Sequence, residues 1–169
     1  MKALVLGDKS QASLFFREQE VEYVNEGPFD AILLASHLQI VQRQNVEKVI
    51  GTLYDELVDG GRMIVTVPDL EWACRQVCTQ NDIPIAAYIC LYGLEKEPYL
   101  SGFNMLWLRR ALESVGLIVV EARTETFKMH MTIGEQKVED KAKQIIIIAI
   151  KRQPDPQKAL EWLNDAQSN

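Results

Sequence analysis

Two apolar runs of the sequence end in residues that could take part in ligand binding. Gly7 and Asp8 follow the run KALVL, and Ser36 and His37 follow the run FDAILLA. In open α/β sheets, ligands bind outside the carboxyl ends of the strands, so both pairs are candidates for a binding pocket. His37 could also act as a general base, because the ordinary pKa of histidine lies close to neutral pH. The alternatives are a tight turn after the first run and a histidine that only caps the second.

A third apolar run, RMIVTV, is followed by Pro68 and Asp69, which could face a substrate. Asp69 could instead cap the helix that begins after it, since aspartate is a preferred N-cap residue. Tyr92 and Tyr99 lie at the two ends of the stretch YGLEKEPY, within a segment (92–103) that we expect to be a loop. That loop either closes over a substrate site or is an ordinary loop anchored by its aromatic residues.

The three cysteines predict neither a disulfide framework nor a metal site. An odd number of cysteines without regular spacing is not typical of a disulfide-rich protein. Cys74 and Cys78 are one helical turn apart, but two thiolates without a nearby histidine are too few ligands for zinc. We therefore expect no metal, and two buried or half-buried thiols on one helix face.

Composition and charge favour an ordinary globular domain with a small-molecule or protein partner. The chain has 169 residues, 47% of them hydrophobic, and its formal net charge is −6. A negative charge argues against nucleic acid as a partner, because phosphate binding needs a basic surface. The longest late apolar run, IIIIAI, is far shorter than the roughly 20 residues that span a bilayer. We see no signal peptide, and expect a cytoplasmic protein without membrane contact.

The hydrophobic pattern predicts strands that alternate with helices through residue 116. The predicted strands are 2–6, 20–24, 29–36 and 62–69. The predicted helices are 11–19 with Ser10 as its N-cap, 45–58, 70–80, 85–91 and a helix capped by Asn104 that runs through Ser114. The helix 45–58 has an apolar stripe that includes Leu57, and Asp59-Gly60-Gly61 is expected to end it.

The last part of the chain has no predicted helix between its strands. LIVVEARTETF and KQIIIIAIKR are expected to pair as an antiparallel hairpin, with the polar segment GEQKVEDKAK (134–143) as its exposed loop. A short helix, KALEWLNDA, is predicted beyond them. The sequence therefore divides into a 1–152 domain and a 153–169 helical extension. Its fold class is α/β, with a mostly parallel sheet that ends in an antiparallel hairpin.

Three stretches together resemble the class I S-adenosylmethionine-dependent methyltransferases. These are FDAILLASHLQIV, ELVDGGRMIVTVPDLEW and GFNMLWLRRALESVGLIVVEA. The middle stretch is similar to the family pattern at Leu57, Gly60, Gly61, Arg62, Val67, Pro68, Asp69 and Leu70. The last is similar at Gly102, Phe103, Leu108, Leu112 and Gly116. The resemblance covers about residues 29–150, and implies a Rossmann-like methyltransferase sheet and S-adenosylmethionine as cofactor.

The resemblance also implies which residues contact the cofactor and the acceptor. The cofactor candidates are Gly7, Asp8, Glu26, Ser36 and His37. The substrate-pocket candidates are Pro68, Asp69, Tyr92 and Tyr99. Of the family's glycine-rich loop only Gly7 remains, followed by Asp8, which could bind an amino group. Asn25 and Glu26 are nearest to the place of the acidic residue that holds the ribose in the family.

The N-terminal half is short for a methyltransferase of this class. About 21 residues separate Gly7 from Phe29, enough for one helix and one strand. We therefore expect that an edge strand and a helix are missing, and that the strand order is 2-1-4-5-7-6 with the last strand antiparallel. The shortened sheet has an exposed edge that a second subunit could cover, which would give a homodimer.

Two functions follow from these observations. The first is a small S-adenosylmethionine-dependent methyltransferase with a small-molecule or protein acceptor. The second is a degenerate methyltransferase fold, without cofactor, that serves as a binding or assembly module. An enzyme should have an open pocket at Gly7, Ser36 and Pro68, whereas a degenerate module should have it filled, for example by Phe15 or Tyr99.

Overall fold

The computed structural model of the protein describes residues 1–16, 22–80, 84–94, 97–133 and 136–152. The predicted helix KALEWLNDA and the whole 153–169 extension lie outside these residues. The elements, in chain order, are β1 (Lys2–Gly7), α1 (Ala12–Phe15), β2 (Glu22–Tyr23), β3 (Phe29–Ala35), α2 (Val46–Asp55), β4 (Leu57–Pro68), α3 (Leu70–Thr79), α4 (Ile85–Tyr92), β5 (Gly93–Leu94), β6 (Glu97–Pro98), α5 (Met105–Ser114), β7 (Leu117–Ile133) and β8 (Gln136–Lys151). None of the helices in this described part is long and apolar enough to span a membrane.

Six strands form one sheet in the order β2-β1-β3-β4-β8-β7. The first four run parallel to their neighbours, whereas β8 is antiparallel to both β4 and β7. In the numbering implied by the resemblance this order is 2-1-4-5-7-6. The predicted α/β fold, the strand order and the antiparallel last strand are therefore confirmed.

The N-terminal half of the sheet is as short as its length predicted. Between β1 and β3, the described residues form a 3₁₀ turn (Lys9–Gln11), the four-residue helix α1 and the two-residue strand β2. The rest of the helix predicted at 11–19, from residue 17 on, lies outside the described residues. The order places β2 at one edge of the sheet, next to β1.

The core lies on both faces of the sheet, because successive residues of β3 point to opposite sides. Ile32 and Leu34 pack on the face that α2 and α5 cover. Ala31, Leu33 and Ala35 pack on the other face, with α1. All five side chains are fully buried, which explains the continuous apolar run in the sequence.

The helix predicted at 45–58 ends earlier, and the prediction that Asp59-Gly60-Gly61 ends it is wrong. α2 ends at Asp55, because Leu57 begins β4 and pairs with Phe29. The three residues Asp59-Gly60-Gly61 lie inside β4, where the pairing shifts so that Arg62 stands opposite Ala31. Lys151, at the end of β8, donates to the carbonyls of Tyr54 and Leu57 at 2.9 and 2.8 Å. Lys151 stabilises the C-terminal end of α2. Because it is distant from α2 in sequence, the residues around α2 alone could not predict where the helix ends.

The exposed hairpin loop predicted at 134–143 is also wrong. β7 and β8 continue as a paired ribbon to Ile133 and Gln136, with residues 134 and 135 outside the described set. One face of this ribbon packs against α3 and α4. The packed residues are Ala73, Ala86, Ala87, Cys90, Phe127, Met129 and Ala142. The segment looked like a loop because the opposite face carries charged residues, among them the ion pair between Lys128 and Glu139.

The segment predicted as a loop over 92–103 contains a small hairpin instead. β5 and β6 pair antiparallel, with Gly93 opposite Pro98. Asn104 caps α5 as predicted, since its side chain accepts a hydrogen bond from the backbone of Trp107 at 2.8 Å. The hairpin therefore connects α4 to the start of α5.

The thiols of Cys74 and Cys78 are exposed, not buried or half-buried as the sequence predicted. α3 turns Ala73 towards the core, and that leaves the face with both cysteines in solvent. Cys90 on α4 is buried. Burial raises the pKa of the Cys90 thiol to about 12, and the nearby carboxylates of Asp69 and Asp140 add to the shift.

These environments predict that two of the three thiols react in the native state. The thiolate is the nucleophile, and Cys90 forms almost none of it near pH 8. Iodoacetamide at that pH should therefore add two groups to the folded protein and three in urea, as read from intact mass. A third group added to the folded protein as fast as the other two would contradict the buried position of Cys90.

Candidate functional site

The carboxyl ends of β1, β3 and β4 lie side by side at one end of the sheet. Gly7 pairs with Ala35, and Ala35 pairs with Thr66. The residues that follow these three strands are therefore neighbours, as expected for a parallel arrangement. The structure brings together the predicted candidates Gly7, Asp8, Ser36 and His37.

Gly7 is required by the close packing of two strand ends. Its φ is +92°, and a Cβ at this position would overlap the carbonyl oxygen of Ala35. The backbone N–H of Asp8 donates to the same oxygen at 2.9 Å. This N–H is thus part of the sheet and is not free to bind a cofactor. Gly7 therefore forms the tight turn that the sequence analysis gave as the alternative to a cofactor loop. A contact between Gly7 and a ligand stays a prediction.

Asp8, and not Ser10, caps the turn that follows β1. Its carboxylate accepts from the backbone N–H of Ser10 at 3.0 Å and from the Ser10 hydroxyl at 2.6 Å. The predicted cap at Ser10 is wrong because the chain turns two residues earlier, as the 3₁₀ turn Lys9–Gln11. The cap holds this turn close to the end of β1.

A polar network that the sequence analysis missed connects β3, β4 and the 3₁₀ turn. The backbone N–H of Ser36 donates to the backbone oxygen of Thr66 at 2.9 Å and to its hydroxyl at 3.2 Å. That hydroxyl donates to the side-chain oxygen of Gln11 at 2.8 Å. Thr66 is fully buried, and its place as the polar residue in RMIVTV is the signal that could have found it.

Ser36 has an unusual backbone conformation at the centre of this network. Its φ is +51°. Among the residues that the structure describes, every other residue with a positive φ is a glycine. Such conformations are uncommon for residues with a Cβ and concentrate at functional sites. The turn it makes leads directly into His37 and the 3₁₀ turn Leu38–Ile40.

His37 is partly buried next to Gly7. Its Cβ is 3.3 Å from the position that a Gly7 Cβ would occupy. Burial lowers the pKa of the His37 imidazole, because the charged form loses hydration. The side chain makes no cap hydrogen bond to the turn that follows it. A neutral imidazole at the carboxyl end of a central strand can accept a proton.

An open groove of about 490 Å³ lies beside these residues, between the ends of β1 and β2. Its apolar lining residues are Val5, Ala12 and Val24, and its polar ones are Lys9, Ser10, Ser13 and Asn25. Glu26 is exposed, and its neighbour Asn25 lines the groove in its place. The residues that line this groove lie towards α1 and β2 and do not include Gly7, Ser36 or Pro68, where the opening is predicted.

Pro68 and Asp69 lie on the far side of the strand ends, against β8 and the segment before α5. Pro68 is buried. The carboxylate of Asp69 accepts from the backbone N–H groups of Glu71 and Trp72 at 3.0 and 3.2 Å. The N-cap alternative for Asp69 is therefore what the structure shows, and a contact with substrate stays a prediction.

The two tyrosine candidates lie at the ends of the β5–β6 hairpin. Tyr92 is 60% exposed, and its carbonyl accepts from the backbone N–H of Tyr99 at 3.1 Å. The next two residues, Leu100 and Ser101, donate to the backbone oxygen of Gln39 at 2.7 and 3.0 Å. The hairpin is therefore fastened to the turn after His37. At the strand ends themselves, the side chain that contacts Thr66 is Gln11.

The partly buried His37 predicts a pH dependence of stability. The folded state disfavours its protonation, whereas the unfolded chain takes up this proton near pH 6.5. The free energy of unfolding should therefore fall as the pH drops below about 6.5, and this fall should be smaller in His37→Gln. Urea unfolding between pH 5 and 7.5, with an NMR titration of the imidazole, measures both. A pKa at or above the ordinary value would contradict the burial.

Comparisons with known proteins find solved structures that are similar in fold, but no family or curated protein that is similar in sequence. The sequence matches no protein-family model and no curated protein. The structure is similar to a proposed methyltransferase from Bacillus halodurans, with a TM-score of 0.54, 11% identity, and 90% of this chain and 92% of that chain covered. It is also similar to TehB from Haemophilus influenzae, with a TM-score of 0.50, 14% identity, and 89% and 49% covered.

These likenesses agree with the strand order and with the single antiparallel strand β8 next to β4. The similarity to the Bacillus halodurans protein covers almost the whole of both chains. The short N-terminal half of this chain is therefore included in the shared fold. The chain therefore has the fold of the class I methyltransferases.

Proposed function

We propose that this protein is an S-adenosylmethionine-dependent methyltransferase that holds its cofactor in the groove between β1 and β2. The observation that carries the proposal is the position of this groove at the carboxyl ends of two parallel strands. That is where ligands bind in open α/β sheets. Since the solved relatives share the fold alone, the residues of the groove have to support the choice of cofactor.

The groove residues fit this cofactor in size and in chemistry. A volume of about 490 Å³ lies within the range of small-molecule sites. Val5, Ala12 and Val24 offer an apolar surface for the adenine ring. Asn25 can bind the ribose hydroxyls with its amide, in the place of the acidic residue of the family. Lys9 can pair with the carboxylate at the amino-acid end.

The cofactor, when bound, supplies an electrophilic methyl group to a nucleophile that attacks in line with the sulfonium. The protein then has to orient the acceptor and remove water, so few catalytic side chains are needed. His37 is suited to accept the proton of an acceptor, because its lowered pKa keeps the imidazole neutral. The acceptor is a small molecule or a protein, and the β5–β6 hairpin, whose following residues bond to Gln39, would form one wall of its site.

A second candidate function is a binding module that does not transfer methyl groups. One observation favours it: the side chain of Gln11 reaches Thr66 across the strand ends, where an enzyme should be open. In that case the groove could still bind an adenosine compound. The two functions differ in whether a bound cofactor leads to methyl transfer.

S-adenosylhomocysteine should stabilise the folded protein if the groove binds this class of ligand. At about a hundred times its dissociation constant, a ligand adds roughly 2.7 kcal/mol to the free energy of unfolding. For a domain of this size, that raises Tm by roughly 5 to 10 °C. Thermal unfolding with and without the ligand, checked by calorimetric titration, measures the effect. An unchanged Tm at millimolar ligand would exclude the cofactor and the methyltransferase.

Lys9→Ala should weaken binding of S-adenosylhomocysteine and leave 5′-methylthioadenosine, which lacks the amino-acid end, unaffected. The lysine is exposed, so we expect a modest rise in Kd of about three- to tenfold for the first ligand. Lys48→Ala, on the outer face of α2, is the matched control. Equal losses for the two ligands would show that Lys9 does not contact the carboxylate.

A further inference from the structure

An apolar part of the sheet surface stays open where β7 begins and β8 ends. Ile118 of β7 stands opposite Ile150 of β8, and directly opposed residues point to the same face of a sheet. Ile148 is two residues from Ile150, so it shares this face, and it packs on the side of α1. Ile118 is 48% exposed, and Ile148 and Ile150 are only partly buried. The described helices therefore leave this apolar surface uncovered.

A β-bulge adds to the same surface. Val119 pairs with Ala149 and Glu121 pairs with Ile148, so Val120 is the extra residue between these two pairs. Its side chain is 55% exposed. Single apolar residues are common on protein surfaces, whereas a contiguous apolar patch is the feature that marks an interaction surface. We call the four adjoining residues the open patch: Ile118, Val120, Ile148 and Ile150.

The segment 153–169 begins next to the open patch. It follows Arg152 directly, and the preceding Lys151 pairs with Leu117, the neighbour of Ile118. The other gaps in the described chain are at most five residues long, namely 17–21, 81–83, 95–96 and 134–135. Among these gaps, the segment 153–169 is therefore the one that is both long enough and near enough to cover the patch.

The sequence of this segment predicts a helix with one apolar face. Asp155 is a preferred N-cap residue, and Pro156 suits the first position of a helix. At about 100° per residue, the apolar side chains fall within an arc of about 160° and the charged ones fall outside it. The apolar residues are Ala159, Leu160, Trp162, Leu163 and Ala166, and the charged ones are Lys158, Glu161 and Asp165. A short helix of this kind is stable when its apolar face is packed.

The length of the predicted helix matches the open patch. A helix over 156–166 is about 16 Å long, which corresponds to about five residues of a strand. Residues 153–155 are enough for the short connection that turns the chain back along β8. The helix then runs from the level of Ile150 towards that of Ile146, across the patch and on the side of α1.

We propose that the segment 153–169 docks on the open patch as an amphipathic helix, with Leu160, Trp162 and Leu163 against the isoleucines. A second copy of the chain is the other possible occupant. The tethered segment is favoured over it, because a short connection gives an effective concentration in the millimolar range. The docked helix completes the core on the side of α1. It goes beyond the proposed function, since it does not depend on a ligand.

Amide hydrogen exchange of the full chain, read by mass spectrometry, tests the docking. The amides of 157–166 should exchange roughly tenfold or more slowly than those of an unfolded chain. Ile118→Glu introduces a charge into the open patch and should abolish this protection. Thr124→Glu is the matched control, because Thr124 is also exposed on β7 but stands opposite Ile145, which packs with α2 and α5. Protection of β3 in each variant shows that the sheet is folded.

Thermal unfolding of a second set of variants tests the contact from the side of the segment. Leu163→Ala should lower Tm by roughly 3 to 6 °C, whereas Glu161→Ala, on the polar face of the predicted helix, should leave Tm unchanged. In the Ile118→Ala background the effect of Leu163→Ala should be smaller, because residues in contact are energetically coupled.

Four outcomes would overturn the docking. Amides of 157–166 that exchange as fast as in an unfolded chain would show that the segment does not dock. Protection that persists in Ile118→Glu, or additive effects of Ile118→Ala and Leu163→Ala on Tm, would show that it docks on another surface. Protection that rises with protein concentration, together with a dimer in sedimentation, would show that a second copy covers the patch.

Discussion

Burial of β8 between β4 and β7 is the constraint on which most of the structure depends. Its isoleucines alternate between the two faces, so that Ile145 and Ile147 pack with α2 and α5 while Ile148 packs on the side of α1. The same strand holds other elements in place through its ends. Lys151 binds the carbonyls at the end of α2, and the side chain of Asp140 accepts from the backbone N–H of Ala86 at the start of α4. One strand therefore sets both the core and the positions of the surrounding helices.

The candidate site depends on that arrangement through the register of the parallel strands. β8 fixes β4, β4 fixes β3, and the pairing of Gly7, Ala35 and Thr66 then brings three strand ends to one level. The packing at the strand ends is tight enough to require a glycine at position 7, and Ser36 has a positive φ in the same place. The Thr66 hydroxyl there already bonds to the Ser36 N–H and to the side chain of Gln11. A ligand that reached Thr66 would compete with these bonds, whereas the groove described above lies to the side, next to β2.

The sequence predicted those parts of the molecule that depend on local pattern. The apolar run FDAILLA predicted a strand covered on both faces, Asn104 was predicted as a helix cap, and a cap was one of the two alternatives for Asp69. The strand order came from the resemblance. What failed depends on distant partners: the end of α2 on Lys151, the ribbon of β7 and β8 on α3 and α4. In the site, the candidates near Gly7 and His37 do converge. The bond between Gln11 and Thr66 was missed because nothing in either residue's neighbourhood points to the other.

The position of β8 also has a consequence for the way the chain reaches its fold. β8 follows all the other described strands in sequence, yet it lies inside the sheet and pairs Ile150 with Arg62. Such contacts between distant residues form late and slowly, because a long loop has to close first. During synthesis, one edge of β4 therefore stays unpaired, with its apolar residues exposed, until the isoleucines of β8 (145–148) have been made. An unpaired, apolar strand edge is the kind of surface that makes an incomplete chain prone to aggregate, so a chain that stops before residue 145 should aggregate more readily than the full chain.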